Sequence, residues 1–228
     1  MPPPIAPDSR LGAYVDGVTN FIAVRLNYRD HARETGAEPP SEPILFNKAP
    51  SCIVRPNDDV AIPPGSVATD WEAELAVVIH APAWPINAAQ ANAVIAGYCV
   101  CHDVSGCHYQ LERGGQCMKG KGCPTFGPLG PWLVTPDEIS DVQNLEIWLD
   151  VNGAPMQRGT TAEMIFSVSR LVAYASQFMI LRPGDVITTG TPAGVGLGRD
   201  PPLYLKAGDR VMLGIEGLGR QSQTIVGG

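Results

Sequence analysis

Two glutamates one residue apart, Glu72 and Glu74, have the types and spacing that most clearly suggest chemistry in this sequence. They precede the apolar run Leu75-Ala-Val-Val-Ile79, which predicts a buried β-strand. Side chains two residues apart on a strand point to the same face, so the two carboxylates would share a small volume and repel each other. A hard divalent cation such as Mg²⁺, Mn²⁺ or Ca²⁺ would remove this repulsion. The alternative interpretation is a solvated polar face ahead of the strand.

Three other places could contribute to the same chemistry. His31 and Glu34 are three residues apart, so on a helix they share one face, and the carboxylate could orient the imidazole as a general base. Asp103 follows the end of an expected strand, where it could be a third metal ligand or a turn cap. Lys121 lies between two glycines and could offset developing negative charge, or could be a solvated loop lysine.

The elements that must position these side chains are mostly short strands. Hydrophobic patterning predicts strands at residues 21–26, 44–46, 75–79, 97–101, 145–151, 186–189 and 210–215. Helical segments are expected at 27–34, at 87–96, and from Met164 to Met179, the last preceded by a possible capping box of Thr160 and Glu163. The pair Asn152-Gly153 predicts a tight β-hairpin turn.

Composition narrows the class of protein. The chain has 228 residues, 44% of them hydrophobic and 17% charged, which is typical of a globular domain. A net charge of −7 with no basic tract argues against a nucleic-acid partner. The sequence shows no signal peptide and no membrane span, so we expect a cytoplasmic protein with reduced cysteines. Residues 1–20 read as a short lead-in, and residues 21–228 as one domain.

Two further segments could bind a ligand, but their sequence patterns support this less strongly. Residues 99–123 hold five cysteines and two histidines, but they lack a C-x-x-C pair, so a structural zinc site is disfavoured against small buried thiols. The glycine-rich segment 188–196 could present amides and hydroxyls to a carboxylate or carbonyl. It does not match the phosphate-binding patterns, which argues against a nucleotide ligand.

The order of these motifs along the chain resembles that of the fumarylacetoacetate hydrolase family. The resemblance spans roughly residues 20–226 and rests on six blocks, at 27–34, 43–51, 70–79, 97–105, 120–131 and 184–196. Residues 110–116 and 201–209 are most similar to the branch of 2,4-diketo-3-deoxy sugar-acid hydrolases and so-called ureidoglycolate lyases.

The resemblance implies a fold, a cofactor and a set of site residues. The fold would be α+β and β-rich, with a mixed, rolled sheet (a pseudo-barrel), few helices and assembly as a homodimer. A Mg²⁺ or Mn²⁺ ion, with Ca²⁺ as a further option, would be bound by Glu72, Glu74 and Asp103. The remaining implied roles are a His31–Glu34 dyad on a mobile lid, a catalytic Lys121, and substrate contacts from Gln110, Thr191, Lys48 and Thr125.

The implied activity is hydrolysis of a carbon–carbon bond in a β-diketo acid of the acylpyruvate type. His31, held by Glu34, would activate water, and the metal and Lys121 would stabilise the enolate that forms. The same site could decarboxylate or isomerise related 2-oxo or dienoate acids, so those activities remain alternatives. A non-catalytic small-molecule binder on the same fold is a third.

The sequence departs from the family pattern at four positions. Cys107 and His108 stand where the family usually has arginine and aspartate, Cys117 replaces a tryptophan, and Pro124 replaces an aspartate. A thiol cannot supply the permanent charge and bidentate geometry of a guanidinium. The departure at Cys107 therefore predicts a shifted substrate, reduced activity, or loss of turnover.

Overall fold

Short strands make up most of the regular structure in this computed structural model, which describes residue 12 and residues 15–228. The described strands are β1 (Phe21–Arg25), β2 (Ile44–Lys48), β3 (Ile53–Val54), β4 (Val60–Ile62), β5 (Thr69–Asp70), β6 (Ala73–Ile79), β7 (Ile95–His102), β8 (Ser105–Gly106), β9 (Gly127–Val134), β10 (Glu146–Val151), β11 (Ala154–Thr160), β12 (Val186–Thr188), β13 (Arg210–Ile215) and β14 (Gly219–Gly227). The described α-helices are α1 (Arg29–Glu34), α2 (Cys107–Leu111), α3 (Cys117–Lys121) and α4 (Val168–Ala175). Most of the expected lead-in, residues 1–20, lies outside the described residues, and 15–20 have no regular secondary structure.

The strands form two main sheets. The larger one has seven strands in the order β2-β1-β12-β6-β7-β9-β3, and the smaller one has five in the order β11-β10-β13-β14-β4. Pairing in the larger sheet is mixed, because β1 runs parallel to β12 and β3 parallel to β9 while the other neighbours are antiparallel. The seven-stranded sheet curls into a half-barrel, which confirms the expected β-rich α+β fold.

The central strands β6 and β7 lie in the middle of the core. All seven residues of β6 are buried, and the five-stranded sheet packs against this strand through β10 and β13. Such a strand reads as a continuous apolar run rather than an alternating one, as the stretch Leu75–Ile79 does. The polar side chains at the start of β6 and just after β7, Glu74 and Asp103, are themselves buried next to this core.

The hairpin predicted from Asn152-Gly153 is confirmed. These residues join β10 to β11 with φ values of 52° and 77°, the left-handed conformation that a tight hairpin turn requires. The Asn152 side chain also accepts a hydrogen bond from the Arg210 amide at 2.8 Å and donates one to Asp209 at 2.9 Å. The turn is therefore fixed to the neighbouring strand β13 as well as by its own backbone preference.

The predicted helix boundaries are partly wrong. The helix expected from Met164 begins only at Val168, capped by Ser167, and Thr160 instead caps a short 3-10 helix at Thr161–Glu163. The reason is a long-range contact: the Asn27 carbonyl accepts from the Ile165 amide at 2.7 Å, and the Asn27 side chain accepts from the Phe166 amide at 2.8 Å. These bonds hold residues 165 and 166 outside the helix, in bends.

The segment expected to be helical at residues 87–96 also differs from the prediction. It is a 3-10 helix, Ala88–Val94, followed directly by strand β7. Its start does follow local chemistry, because the Asn87 side chain accepts hydrogen bonds from the Ala89 and Gln90 amides in a complete capping box.

Replacing Asn27 by leucine is expected to lower the free energy of unfolding by about 2–4 kcal/mol. The fully buried side-chain amide of Asn27 also donates to the carbonyls of Phe166 (3.1 Å) and Thr189 (2.8 Å). Leucine would leave these two carbonyls and the Phe166 amide without their side-chain partner. Urea denaturation would measure the change. The matched Asn92→Leu substitution, at an exposed position, should change stability by less than about 0.5 kcal/mol. Equal effects of the two substitutions would contradict this account.

Candidate active site

Antiparallel pairing of β6 with β7 brings the three predicted carboxylates together. Glu74 pairs with Cys101 and Ala73 with His102, so Asp103, which follows β7, lies beside the residues that open β6. The Asp103 amide donates to the Glu72 carbonyl at 2.9 Å, which fixes this register beyond the strand ends. One oxygen each from Glu72, Glu74 and Asp103 lies within 4.8 Å of the others.

Two lysines neutralise part of this negative charge. Lys121, the last residue of α3, places its ammonium 2.8 Å from Glu72 Oε1 and 2.8 Å from Asp103 Oδ2. Lys48, at the end of β2, binds the other oxygen of Asp103 and donates to the Phe126 carbonyl at 3.0 Å. Lys121 is buried at the end of a helix, so the alternative interpretation of a solvated loop lysine is wrong.

Burial and the neighbouring charges raise the pKa of Glu74 and of Lys121 and lower the pKa of Asp103. Burial, together with the nearby charges of Asp103 and Glu72, raises the pKa of Glu74 well above its ordinary value. Burial alone would raise the pKa of Asp103, but Lys121 and Lys48 outweigh it and lower that pKa. Burial would lower the pKa of Lys121, yet the surrounding carboxylates raise it above its ordinary value. The surrounding carboxylates therefore favour the charged form of Lys121.

The donor set fits a hard divalent cation. Carboxylate oxygens are the ligands that Mg²⁺, Mn²⁺ and Ca²⁺ prefer, and two oxygens bound to one such ion at about 2.0–2.6 Å cannot lie more than about 5.2 Å apart. The three oxygens lie within 4.8 Å of one another, which is inside that limit for Ca²⁺ at about 2.3–2.6 Å, whereas Mg²⁺ at about 2.0–2.1 Å needs them within about 4.2 Å. Once Glu74 is ionised, three carboxylates against two ammonium groups leave one negative charge that the lysines do not balance.

Binding of a divalent cation is expected to release protons. Because the pKa of Glu74 is raised, the free protein keeps a proton on this carboxyl to higher pH than usual, and a metal must displace it. The apparent dissociation constant for Mn²⁺ should therefore fall as pH rises, until Glu74 is ionised without the metal. Titration calorimetry in two buffers of different ionisation enthalpy would count the protons. A flat affinity from mildly acidic to mildly basic pH, with no proton release, would contradict this expectation.

The predicted His31–Glu34 pair forms on α1. His31 Nδ1 lies 3.0 Å from Glu34 Oε2, and the other carboxylate oxygen of Glu34 accepts from the Gly194 amide at 2.8 Å. Gly198 packs so closely that a Cβ atom there would lie 2.7 Å from the Glu34 carboxyl carbon. Glu34 is thus held between the imidazole and the glycine-rich loop. With Nδ1–H donated to Glu34, His31 Nε2 carries the free lone pair.

The glycine-rich loop supports the site through its backbone. The Gly190 amide donates to Glu74 at 3.0 Å, and the amides of Gly196 and Leu197 donate to Asp70 at 2.7 Å each. Thr191 donates its hydroxyl proton to the Ala73 carbonyl (2.9 Å) and accepts from the buried Gln157 amide (2.8 Å). The loop therefore ties the start of β6 to α1 and β11.

Most of the predicted site residues line one cavity of about 240 Å³. Its lining includes His31, Glu72, Glu74, Asp103, Gln110, Lys121 and Thr191. Glu34, Lys48 and Thr125 lie outside this lining: Glu34 behind His31, Lys48 behind Asp103, and Thr125 with its hydroxyl accepting from the Ala61 amide at 2.9 Å. Substrate contacts by Lys48 and Thr125 remain predictions. The location of both residues outside the cavity lining does not favour such contacts.

Two lining or supporting groups, Ser105 and Asp70, were not singled out from the sequence. Ser105 donates to Glu72 at 2.7 Å. Asp70 lines the cavity, and burial raises its pKa to about 7 against the effect of its backbone donors. Cys107 Sγ lies 4.0 Å from Asp70 Oδ2, so the position where the family pattern has arginine holds a buried neutral thiol. Ser105 and Asp70 fall inside sequence blocks already recognised, but nothing local distinguishes their roles.

The cysteines contribute no ligand to the carboxylate cluster. All six are free thiols, and in the part of the chain that the structure describes, the side chains grouped closely enough to hold a metal are Glu72, Glu74 and Asp103. Among those same residues, no helix is both long and apolar enough to span a bilayer.

A curled mixed sheet whose rim gathers carboxylates, a buried lysine and an oriented histidine in one cavity defines the class of this protein as an enzyme. The pattern of the family described as Fumarylacetoacetate (FAA) hydrolase C-terminal matches residues 20–226. The chain therefore belongs to this family, whose enzymes include hydrolases and isomerases.

Relatives support this assignment. A Burkholderia multivorans protein, whose name describes a hydrolase and states no substrate, is 56% identical over 222 residues, covering 97% of this chain and 79% of the relative. The structure of 5-carboxymethyl-2-hydroxymuconate delta-isomerase from Mycobacterium smegmatis is 38% identical, with a TM-score of 0.85 over 96% of this chain and 82% of that one. Fumarylacetoacetate hydrolase from Exiguobacterium antarcticum is 36% identical, with a TM-score of 0.87 over 96% and 78%.

Proposed function

We propose that this protein is a divalent-cation-dependent hydrolase that cleaves a carbon–carbon bond in an acylpyruvate-type β-diketo acid. The observation that carries the proposal is the common cavity: His31, oriented by Glu34, faces the same space as Lys121 and the three carboxylates. A general base and a cationic oxyanion stabiliser are the two groups that this cleavage needs from the protein.

The proposed mechanism assigns each side chain one task. A cation held by Glu72, Glu74 and Asp103 would supply Lewis-acid polarisation of the 2-oxo acid. His31 Nε2 takes a proton from water, and the resulting hydroxide attacks the carbonyl carbon remote from the carboxylate. The bond between that carbon and the neighbouring methylene breaks, and its electron pair remains with the pyruvate portion as an enolate. The Lys121 ammonium offsets the charge on the enolate oxygen, and a proton then returns to carbon.

An isomerase of a related unsaturated acid is the second candidate. It is favoured by the 38% identity to the Mycobacterium smegmatis protein named as an isomerase, and it uses the same ability to stabilise an enolate. In that reaction His31 would move a proton between carbon atoms, with no attack by water. A non-catalytic binder is the third candidate, suggested by the neutral thiol of Cys107 in the cavity wall.

Turnover assays separate these candidates. The protein would be incubated with acetylpyruvate, with and without Mg²⁺ or Mn²⁺, while the loss of enol absorbance and the release of pyruvate are both followed. Metal-dependent pyruvate release supports the hydrolase. Double-bond migration in a 2-hydroxydienoate without hydrolysis would favour the isomerase, and binding without any conversion would favour the non-catalytic binder.

A further inference from the structure

Arg25 is a cation in the cavity lining that the proposed mechanism does not use. It is the last residue of β1, it is exposed, and it lines the same cavity as His31. Among the described residues, its guanidinium makes no ion pair or hydrogen bond. An arginine presents five donors in a planar fork, so here all of them remain available to a ligand.

Arg25 differs from the other charged side chains of the cavity lining in its electrostatic surroundings. Asp70, Glu72, Glu74 and Asp103 supply negative charge, and the Lys121 ammonium is already bound to two of these carboxylates. Within the described lining, Arg25 is therefore the arginine or lysine whose charge no acidic side chain offsets. A second anionic group on a ligand would be repelled by the carboxylate cluster and attracted to Arg25.

The position of Arg25 is fixed by the fold. Its backbone pairs with Ile44 of β2, and the next residue but one, Asn27, is anchored to the Phe166 amide and the Thr189 carbonyl at 2.8 Å each. Leu26 between them has a φ of 56°, a conformation that is uncommon for leucine and that turns the chain towards α1. Arg25 and His31 thus lie on the two ends of one short, well-anchored connection.

The rest of the lining suits an apolar connecting segment. It includes the apolar side chains of Val24, Leu26, Phe46, Leu111, Val195 and Leu197. A ligand that reaches from the carboxylate cluster to Arg25 would therefore carry polar groups at its two ends and a hydrocarbon portion between them.

We propose that Arg25 binds a second carboxylate of the substrate, at the end remote from the 2-oxo acid group, so that the site prefers dicarboxylic over monocarboxylic acids. This proposal rests on the proposed function for the identity of the 2-oxo acid end. Arg25 acts in it as a specificity-determining residue, because it touches the substrate away from the reacting atoms.

The test compares ligands that differ only in the terminal group. Binding of 2-oxoadipate and 2-oxohexanoate to the Mn²⁺-loaded protein would be measured by calorimetry, and turnover of succinylpyruvate and butanoylpyruvate by pyruvate release. The variants are Arg25→Gln and Arg25→Lys. Arg182→Gln is the matched control, because Arg182 is also exposed but lies outside the cavity lining.

We expect the native protein to favour each dicarboxylate by about tenfold, and Arg25→Gln to abolish that preference while monocarboxylate binding is unchanged. Arg25→Lys should keep part of it, since a lysine retains the charge but not the fork, and Arg182→Gln should keep all of it. Equal affinities of the native protein for both ligands would overturn the proposal. Equal weakening of both ligands by Arg25→Gln would also overturn it, because that result indicates general charge steering.

The two kinds of readout separate this proposal from the proposed function. If the acylpyruvates are not cleaved but the binding preference exists and depends on Arg25, the hydrolase assignment fails and the role of Arg25 stands. The opposite result is that the native protein cleaves succinylpyruvate and butanoylpyruvate with equal efficiency, and that Arg25→Gln does so too. In that case the hydrolase assignment stands and the role of Arg25 fails.

Discussion

Glu72→Ala is expected to lower affinity for Mg²⁺ and Mn²⁺ at least about 100-fold and to abolish turnover. Removal of residues that merely support metal ligands commonly costs about 10–100-fold, so loss of a ligand itself should cost no less. The substitution also removes a carboxylate that accepts from Lys121 and Ser105, so the ammonium would shift towards Asp103. Cation binding by calorimetry and pyruvate release at saturating metal would measure the two effects.

A second substitution and a control keep this result interpretable. Glu72→Gln preserves size and one acceptor oxygen, so it should fold normally while still losing most of the cation affinity. Glu163→Gln removes an acidic side chain of a surface ion pair with Arg33, outside the cavity lining, and should leave binding and turnover unchanged. Full activity of the native protein in excess chelator, or of Glu72→Ala without added metal, would eliminate the metal-dependent mechanism.

His31→Ala is expected to lower kcat by about 10²–10⁴-fold while cation affinity stays unchanged. His31 lines the cavity and binds Glu34, but it is separate from the group of carboxylates that could hold the metal. The test is therefore a comparison of two numbers, kcat and the metal dissociation constant, of which only the first should move. Exogenous imidazole should restore part of the rate if the vacated space admits it.

The control for this variant is His80→Ala, which removes an exposed histidine at the end of β6. It should leave both kcat and metal affinity at native values. Glu34→Gln should lower kcat less than His31→Ala, because it loosens the imidazole without removing it. A His31→Ala protein that turns over at the native rate would show that the base lies elsewhere in the cavity.

Features that depend on local spacing could be predicted from the sequence. Oxygens of Glu72 and Glu74 lie close together, as their spacing predicted, although β6 begins only at Ala73 and Glu72 lies just before it. The side chains of His31 and Glu34 meet because three residues span nearly one helical turn. The Asn152-Gly153 turn follows from the backbone preferences of those two residues. In each case the contact is set within a few residues, so tertiary packing has little opportunity to override it.

Other features could not be predicted because their partners are far apart in the chain. Nothing near Lys48 reveals that it will be buried against Asp103, 55 residues away. The anchoring of Glu34 by the Gly194 amide spans 160 residues. The delayed start of α4 has the same origin, since Asn27 holds residues 165 and 166 outside the helix, against a sequence pattern that favours one.

The sequence by itself determined the kind of chemistry: paired carboxylates, a histidine–glutamate pair and a lysine, in an order that resembles one enzyme family over nearly the whole chain. Only the tertiary structure decided which of these groups face one cavity, that Lys48 and Thr125 lie outside its lining, and that Arg25 lines it without a partner. The physical reason is that residue types and short-range periodicity are properties of the chain. The direction in which a side chain faces depends on which strands pair, and that pairing is a long-range balance of burial and hydrogen bonding over the entire fold.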